Sequence, residues 1–144
     1  MKRLFLKRLR KDQRGSTIVE FALLAPVIIG MFLGVIQLGI SMQAYNSMRG
    51  VASDTARYAV VEYMKANTIG NDAIRSYAVN TAKSAPYSMQ DTVAVTVTSV
   101  ATPRVHGTFE KTITIRYTPP DILPLIDFTS KELTFSRPIF LIDE

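Results

Sequence analysis

The stretch RGSTIVEFALLAP, residues 14–26, sets a carboxylate, Glu20, at the edge of a long apolar run and directly after a knot of positive charge. Two chemistries are open to it. In the first, Glu20 lies at headgroup depth in the first turn of a membrane helix, where the helix dipole favours a negative side chain. In the second, a peptidase cuts after Gly15, releases the basic residues and leaves a new α-amino group on Ser16, four residues before Glu20. That amine has a reference pKa near ~8 and is largely cationic at neutral pH. In an assembly of such helices, the amine of one subunit and the carboxylate of its neighbour neutralise each other in an apolar setting, where an unpaired charge is far more costly. The rest of the chain carries little chemistry. It has no cysteine and a single histidine, His106, which excludes disulfides, thiolate metal sites and histidine-rich metal sites. It has no glycine-rich phosphate loop and no nucleophile–base constellation. No metal or cofactor is expected, and nothing marks an enzyme.

The residues that must position Glu20 are those on either side. Residues 1–14 hold Lys2, Arg3, Lys7, Arg8, Arg10, Lys11 and Arg14 against Asp12, a local charge of +6. The whole chain is only +5, so the other 130 residues carry −1, and the basic character belongs to the first 14. A nucleic-acid-binding domain needs a basic face on its folded body. A near-neutral body excludes that partner. Residues 21–40, FALLAPVIIGMFLGVIQLGI, are 20 consecutive residues without a charge and with one polar side chain, Gln37. As a helix they extend about 30 Å, the thickness of a bilayer's hydrocarbon core. Pro26, Gly30, Gly34 and Gly39 weaken a soluble helix but are common in transmembrane ones. Gly30 and Gly34 form a G-x-x-x-G pair suited to close helix packing, or are simply small residues facing lipid. The seven preceding cations, with only Arg49 soon after, orient the N-terminus to the cytoplasm and the remainder outside. A cleaved secretory signal is the competing reading, with a small-x-small triplet at Gly39-Ile40-Ser41. The apolar run is longer than such signals carry, and that reading leaves Glu20 unexplained.

These residues resemble a family. Gly15 followed five residues later by Glu20-Phe21, between a basic leader and an apolar helix, is similar to the class III leader of type IV pilins and pseudopilins. The longer stretch from Gly15 to Ala59, with VEFALLAPV, GVIQLG and MRGVASDTARYAV, resembles the TadE-like proteins of tight-adherence (Tad/Flp) pilus systems. Gln37 departs from the pattern, since the family often carries an acid there. The resemblance implies cleavage between Gly15 and Ser16 by a prepilin peptidase, with Glu20 and its neighbour Phe21 the residues most important for processing and assembly. It also implies other pilins and the pilus assembly platform as partners, besides membrane lipid.

Beyond residue 40 the pattern becomes amphipathic. Tyr45, Met48, Ala52, Ala56, Ala59 and Tyr63 recur at steps of three or four, with Arg49, Ser53, Asp54 and Arg57 largely elsewhere on the wheel. Gly50 is a weak spot in that stretch. Gly70-Asn71 breaks it, and Asn71 is the expected N-cap of a second helix ending before Pro86, with Ala73, Ile74, Tyr77, Ala78 and Ala82 on its apolar side. The period then switches to two. Residues 92–100 alternate Val93, Val95 and Val97 against small polar residues and Ala94. Residues 109–118 alternate Phe109, Ile113, Ile115 and Tyr117 against Glu110, Thr112, Thr114 and Arg116. The joint between them holds Pro103 and Gly107, and its His106 is expected to be a solvent-exposed loop residue. TPPDILPLIDF reads as an irregular crossover, and residues 131–142 as a last strand in which Pro138 demands an edge position or a bulge.

The expected fold is α+β: a long N-terminal helix, half transmembrane and half amphipathic, packed on a small antiparallel sheet of three or four strands with one short helix. Residues 1–15 form a cleaved cytoplasmic leader, 16–42 the transmembrane and assembly helix, and 43–144 a periplasmic pilin-like domain. Three functions follow. The first is a minor pseudopilin in the bacterial inner membrane that helps to build an adhesive Tad-type pilus. The second is an uncut, single-pass, membrane-tethered periplasmic binding domain. The third is a soluble domain released after Ser41.

Overall fold

The computed structural model describes residues 14–65, 69–122 and 131–142. The basic leader, residues 1–13, and the second part of the proline-rich crossover, residues 123–130, lie outside the described residues. The described residues form two helices, α1 (Arg14–Met64) and α2 (Asn71–Lys83), and three strands, β1 (Ala94–Ser99), β2 (Thr108–Tyr117) and β3 (Leu133–Ile142). The fold is the expected α+β arrangement of one long helix, one short helix and an antiparallel sheet.

Helix α1 runs unbroken for 51 residues through Pro26 and the glycines, about 76 Å at the standard rise. Its second half buries Ala44, Met48, Val51, Ala52, Thr55 and Ala59. Of the stripe expected from the sequence, Met48, Ala52 and Ala59 are buried, and Ala56 and Tyr63 are partly so. Tyr45 is 40% exposed and meets Phe135 of β3 edge-on, with ring centroids 5.7 Å apart. Ala44, Val51 and Thr55 join the core because α1 is covered from two sides, by α2 and by the sheet. Thr55 sits there fully buried with its hydroxyl unpartnered, a desolvation cost of about 1–3 kcal/mol.

Helix α2 lays Ile74, Ala78 and Ala82 on the core and stacks Tyr77 face to face on Tyr58 of α1, centroids 3.9 Å apart. Ala73, expected on that apolar side, is exposed. Asn71 is not the N-cap. Gly70 occupies that position with extended backbone and no side-chain cap, and Asn71 already belongs to the helix. Freed from capping, its amide ties α2 to the sheet. It donates to Ser99 Oγ at 3.1 Å and accepts from Lys111 Nζ at 2.6 Å.

The sheet order is β1-β2-β3, antiparallel throughout, with Ile113 opposite Val97 on one side and Arg137 on the other. Val93, Val95, Val97, Ile113, Ile115, Tyr117, Ile139 and Leu141 face the helices and complete the core. Pro138 lies in the edge strand β3, where its missing N–H is tolerated. The alternation expected for β2 fails at its beginning. Phe109 is 48% exposed, although its ring still faces Tyr63 at 6.1 Å, because it lies at the margin of the covered face. Glu110 points away from the helices yet is 2% exposed. The β1–β2 loop folds back over it. The Arg104 guanidinium and backbone N–H both donate to its carboxylate, and Glu110 C=O accepts from Val100 N–H. The Arg104 hydrogen bonds hold the Glu110 carboxyl below its ordinary pKa. Gly107, at φ +74°, makes the turn that closes this loop, and His106 is exposed in it.

Gly50 is a docking slot. A methyl there would overlap Cε1, Cζ and the hydroxyl of Tyr87, whose ring end packs against α1 at this point. The Tyr87 hydroxyl donates to Asp54 Oδ2 at 2.8 Å, one turn further along. Burial, then the Asp54 bond, raises the Tyr87 pKa. Alanine in a helix is worth about 1 kcal/mol over glycine. Here the displaced ring outweighs that gain, so Gly50→Ala should lower thermal stability in the wild-type background. In a Tyr87→Ala background the same change should raise it. A stabilising Gly50→Ala in both backgrounds would show that Tyr87 does not need the slot.

Candidate functional site

Among the described residues, the first half of α1 stands clear of the globular part. From Ile18 to Val35 its large apolar side chains are more than half exposed wherever they point outward, Phe21, Leu23 and Met31 by about 70%. A surface of that kind on a soluble monomer is a liability, and it marks a segment meant for lipid or for other helices. Glu20 lies near the start of this surface and is exposed in the single chain. Gly15 and Ser16 fall in the first turn of α1, so the Ser16 backbone nitrogen stands about 6 Å along the axis from Glu20.

Pro26, Gly30 and Gly34 follow one another at four-residue steps, and three more residues lead to Gln37. The line continues through Ser41, Ala44, Met48, Ala52, Thr55 and Ala59 at steps of three or four. One side of α1 is therefore covered by the globular domain in its second half and lined by small residues in its first. At Gly34 a Cβ would meet no atom within 4 Å, so nothing among the described residues requires glycine there. Pro26 has no N–H to offer the Ala22 carbonyl one turn before it, yet the helix continues.

The junction between the two halves is Gln37. It is 3% exposed, the deepest polar side chain of the apolar run. Its Nε2 donates to Pro120 C=O at 3.1 Å, and its Oε1 accepts from Ile122 N–H at 3.2 Å. An amide satisfies both groups because it is donor and acceptor at once; a carboxylate would serve only the Ile122 N–H. The sequence exposes Gln37 as the lone polar residue among twenty, but the partners lie more than eighty positions away and leave no local signal. Among the described residues, no three His, Asp or Glu side chains are grouped to hold a metal ion.

A helix long and apolar enough to cross a membrane once, carrying a small α+β domain on its far half, defines a single-pass, membrane-anchored class of protein. Residues 15–57 match the family model described as TadE-like protein, so that segment of the chain is similar to that family. The match lies wholly within α1 and includes none of the sheet. No curated protein and no solved structure matches the chain. The family match and the apolar helix together fit a Tad pilus-related membrane protein.

Proposed function

We propose that this protein is a minor pseudopilin needed to build a Tad/Flp-type pilus, made in the bacterial inner membrane with its N-terminus cytoplasmic and its domain periplasmic. A prepilin peptidase cuts it between Gly15 and Ser16. The mature helix then leaves the bilayer and packs among the helices of other pilins at the assembly platform. The observation that carries this reading is the coincidence of the TadE-like match, residues 15–57, with a helix whose first half is bare and whose second half holds a domain. Glu20 and Phe21 serve processing and assembly on the bare half. Pro26, Gly30 and Gly34 lie on its small-residue side and admit a neighbouring helix closely.

The N-terminus of the mature protein tests the reading against its rivals. A first residue of Ser16 supports it, Met1 supports an uncut tethered domain, and Met42 a released soluble one. Gly15→Phe should abolish processing by co-expressed peptidase, because a subsite shaped for glycine has no room for a ring. Unchanged electrophoretic mobility of wild-type protein with and without the peptidase would refute cleavage.

A further inference from the structure

We infer that the base of the globular domain, residues 119–122, rests on the bilayer surface, and that the hydrocarbon ends at Gln37. This deepens the membrane-anchored reading and rests on it. The apolar run read from sequence, residues 21–40, would bury the helix up to Ile40. The fold forbids that depth. Residues 120–122 are irregular backbone at the level of Gln37, with Pro120, Asp121 and Ile122 exposed. Irregular backbone does not face lipid within the hydrocarbon, and moving the exposed Asp121 charge into it is costly. Sinking the helix by the three to four residues between Gln37 and Ile40 would drag this turn about 5 Å into the acyl chains.

The alternative span spares the turn and instead carries Glu20, its fourth residue, about 6 Å inside the opposite boundary, where a side chain, unlike the backbone of the turn, can reach back to the headgroups. Residues 17–36 number 20, measure about 30 Å along the helix, and end immediately before the clamp. They begin just after Arg14, whose charge belongs at the opposite surface. Leu38 and Met42, exposed on α1 beyond the clamp, then lie within about 9 Å of the boundary, in the headgroup layer. Asp121 keeps the turn at the surface, while Ile122, 38% exposed, is its apolar contact with lipid. Gln37 is the positioning residue. By holding both Pro120 and Ile122 it locks the domain to the helix at one height, so the domain acts as a depth stop for the anchor.

The protein holds no tryptophan, so a single introduced one reports a single place. Full-length Val27→Trp, Met31→Trp, Ile122→Trp and His106→Trp are each reconstituted into phosphatidylcholine vesicles brominated either near the headgroup or near the bilayer centre. The expected result has Val27→Trp as the position most quenched by the deep bromines, since 27 is the midpoint of 17–36. Ile122→Trp loses fluorescence to the shallow bromines more than to the deep ones, and His106→Trp is unaffected by either. Ile122→Trp as unquenched as His106→Trp would overturn the seating. Met31→Trp quenched more deeply than Val27→Trp would overturn the boundary at Gln37. Loss of deep quenching at both 27 and 31 would instead sink the membrane-anchored reading itself.

Discussion

On the proposed function, Glu20→Gln should yield a protein that is still cut after Gly15 but supports few or no pili. The substitution keeps the size and hydrogen-bonding shape of the side chain and removes its charge. If Glu20 only marks the headgroup boundary, the loss is that of an exposed interaction, under about 1 kcal/mol, and piliation continues. In the proposed bundle, however, the exposed apolar side chains around Glu20 would be buried against other helices, and the Ser16 amine of a neighbour would need a counter-charge there. Removing one member of a buried pair leaves the other uncompensated, at a typical cost of about 3–5 kcal/mol. Every subunit contact of that type bears the cost. Two blots on cells carrying Glu20→Gln decide the matter, one for processed protein and one for sheared surface pili. Normal pili would make the carboxylate an interfacial accident, and unprocessed protein would move its role to recognition by the peptidase.

Ile113→Ala, made in a fragment beginning at Gln43, should lower the melting temperature by about 8 °C or more. The fragment keeps every residue of the core cluster, which begins at Ala44, and discards the bare half of α1. It is therefore expected to fold as a monomer, although the 120–122 turn loses its hold on Gln37. Ile113 is fully buried at the middle of the central strand, flanked by Val97 and Arg137 across the ladders. Truncating such a side chain costs about 2–5 kcal/mol. For a domain of this size each kcal/mol is worth about 4–8 °C. Ile142→Ala, at a position 70% exposed, is the matched control and should change stability by no more than about 0.5 kcal/mol. Equal melting temperatures for the two variants would contradict the packing of the sheet on α1. Aggregation of the unsubstituted fragment would instead make residues 43–66 an obligatory helix–helix interface.

Much of this protein is legible without a structure because two of its signals are local and strong. Twenty uncharged residues make a helix long and apolar enough to span a membrane, and alternate valines and isoleucines make half-buried strands. Pro138 announces an edge strand because proline lacks the N–H a central strand must donate. The errors cluster where a side chain answers to a distant partner. Asn71 reads as a cap by its type and place, but Ser99 and Lys111 of the sheet claim its amide. Glu110 reads as an outward-facing acid by parity, and its parity is right. It is buried because Arg104 and its loop cover the outer face at that one point.

What the sequence by itself determined is the character of each segment: the basic start, the apolar anchor with Glu20 at its edge, the amphipathic continuation and the three strands. Those are set by hydrophobic periodicity and charge, which act over a few residues. Only the tertiary structure decided how the segments meet. It made Gly50 a slot for Tyr87, turned the unexplained Gln37 into a clamp on Pro120 and Ile122, and so fixed the height of the domain on its helix. The physical reason is that a buried amide must satisfy both its donor and its acceptor. Where those partners come from depends on which loop the fold brings alongside, not on the residues next to it in the chain.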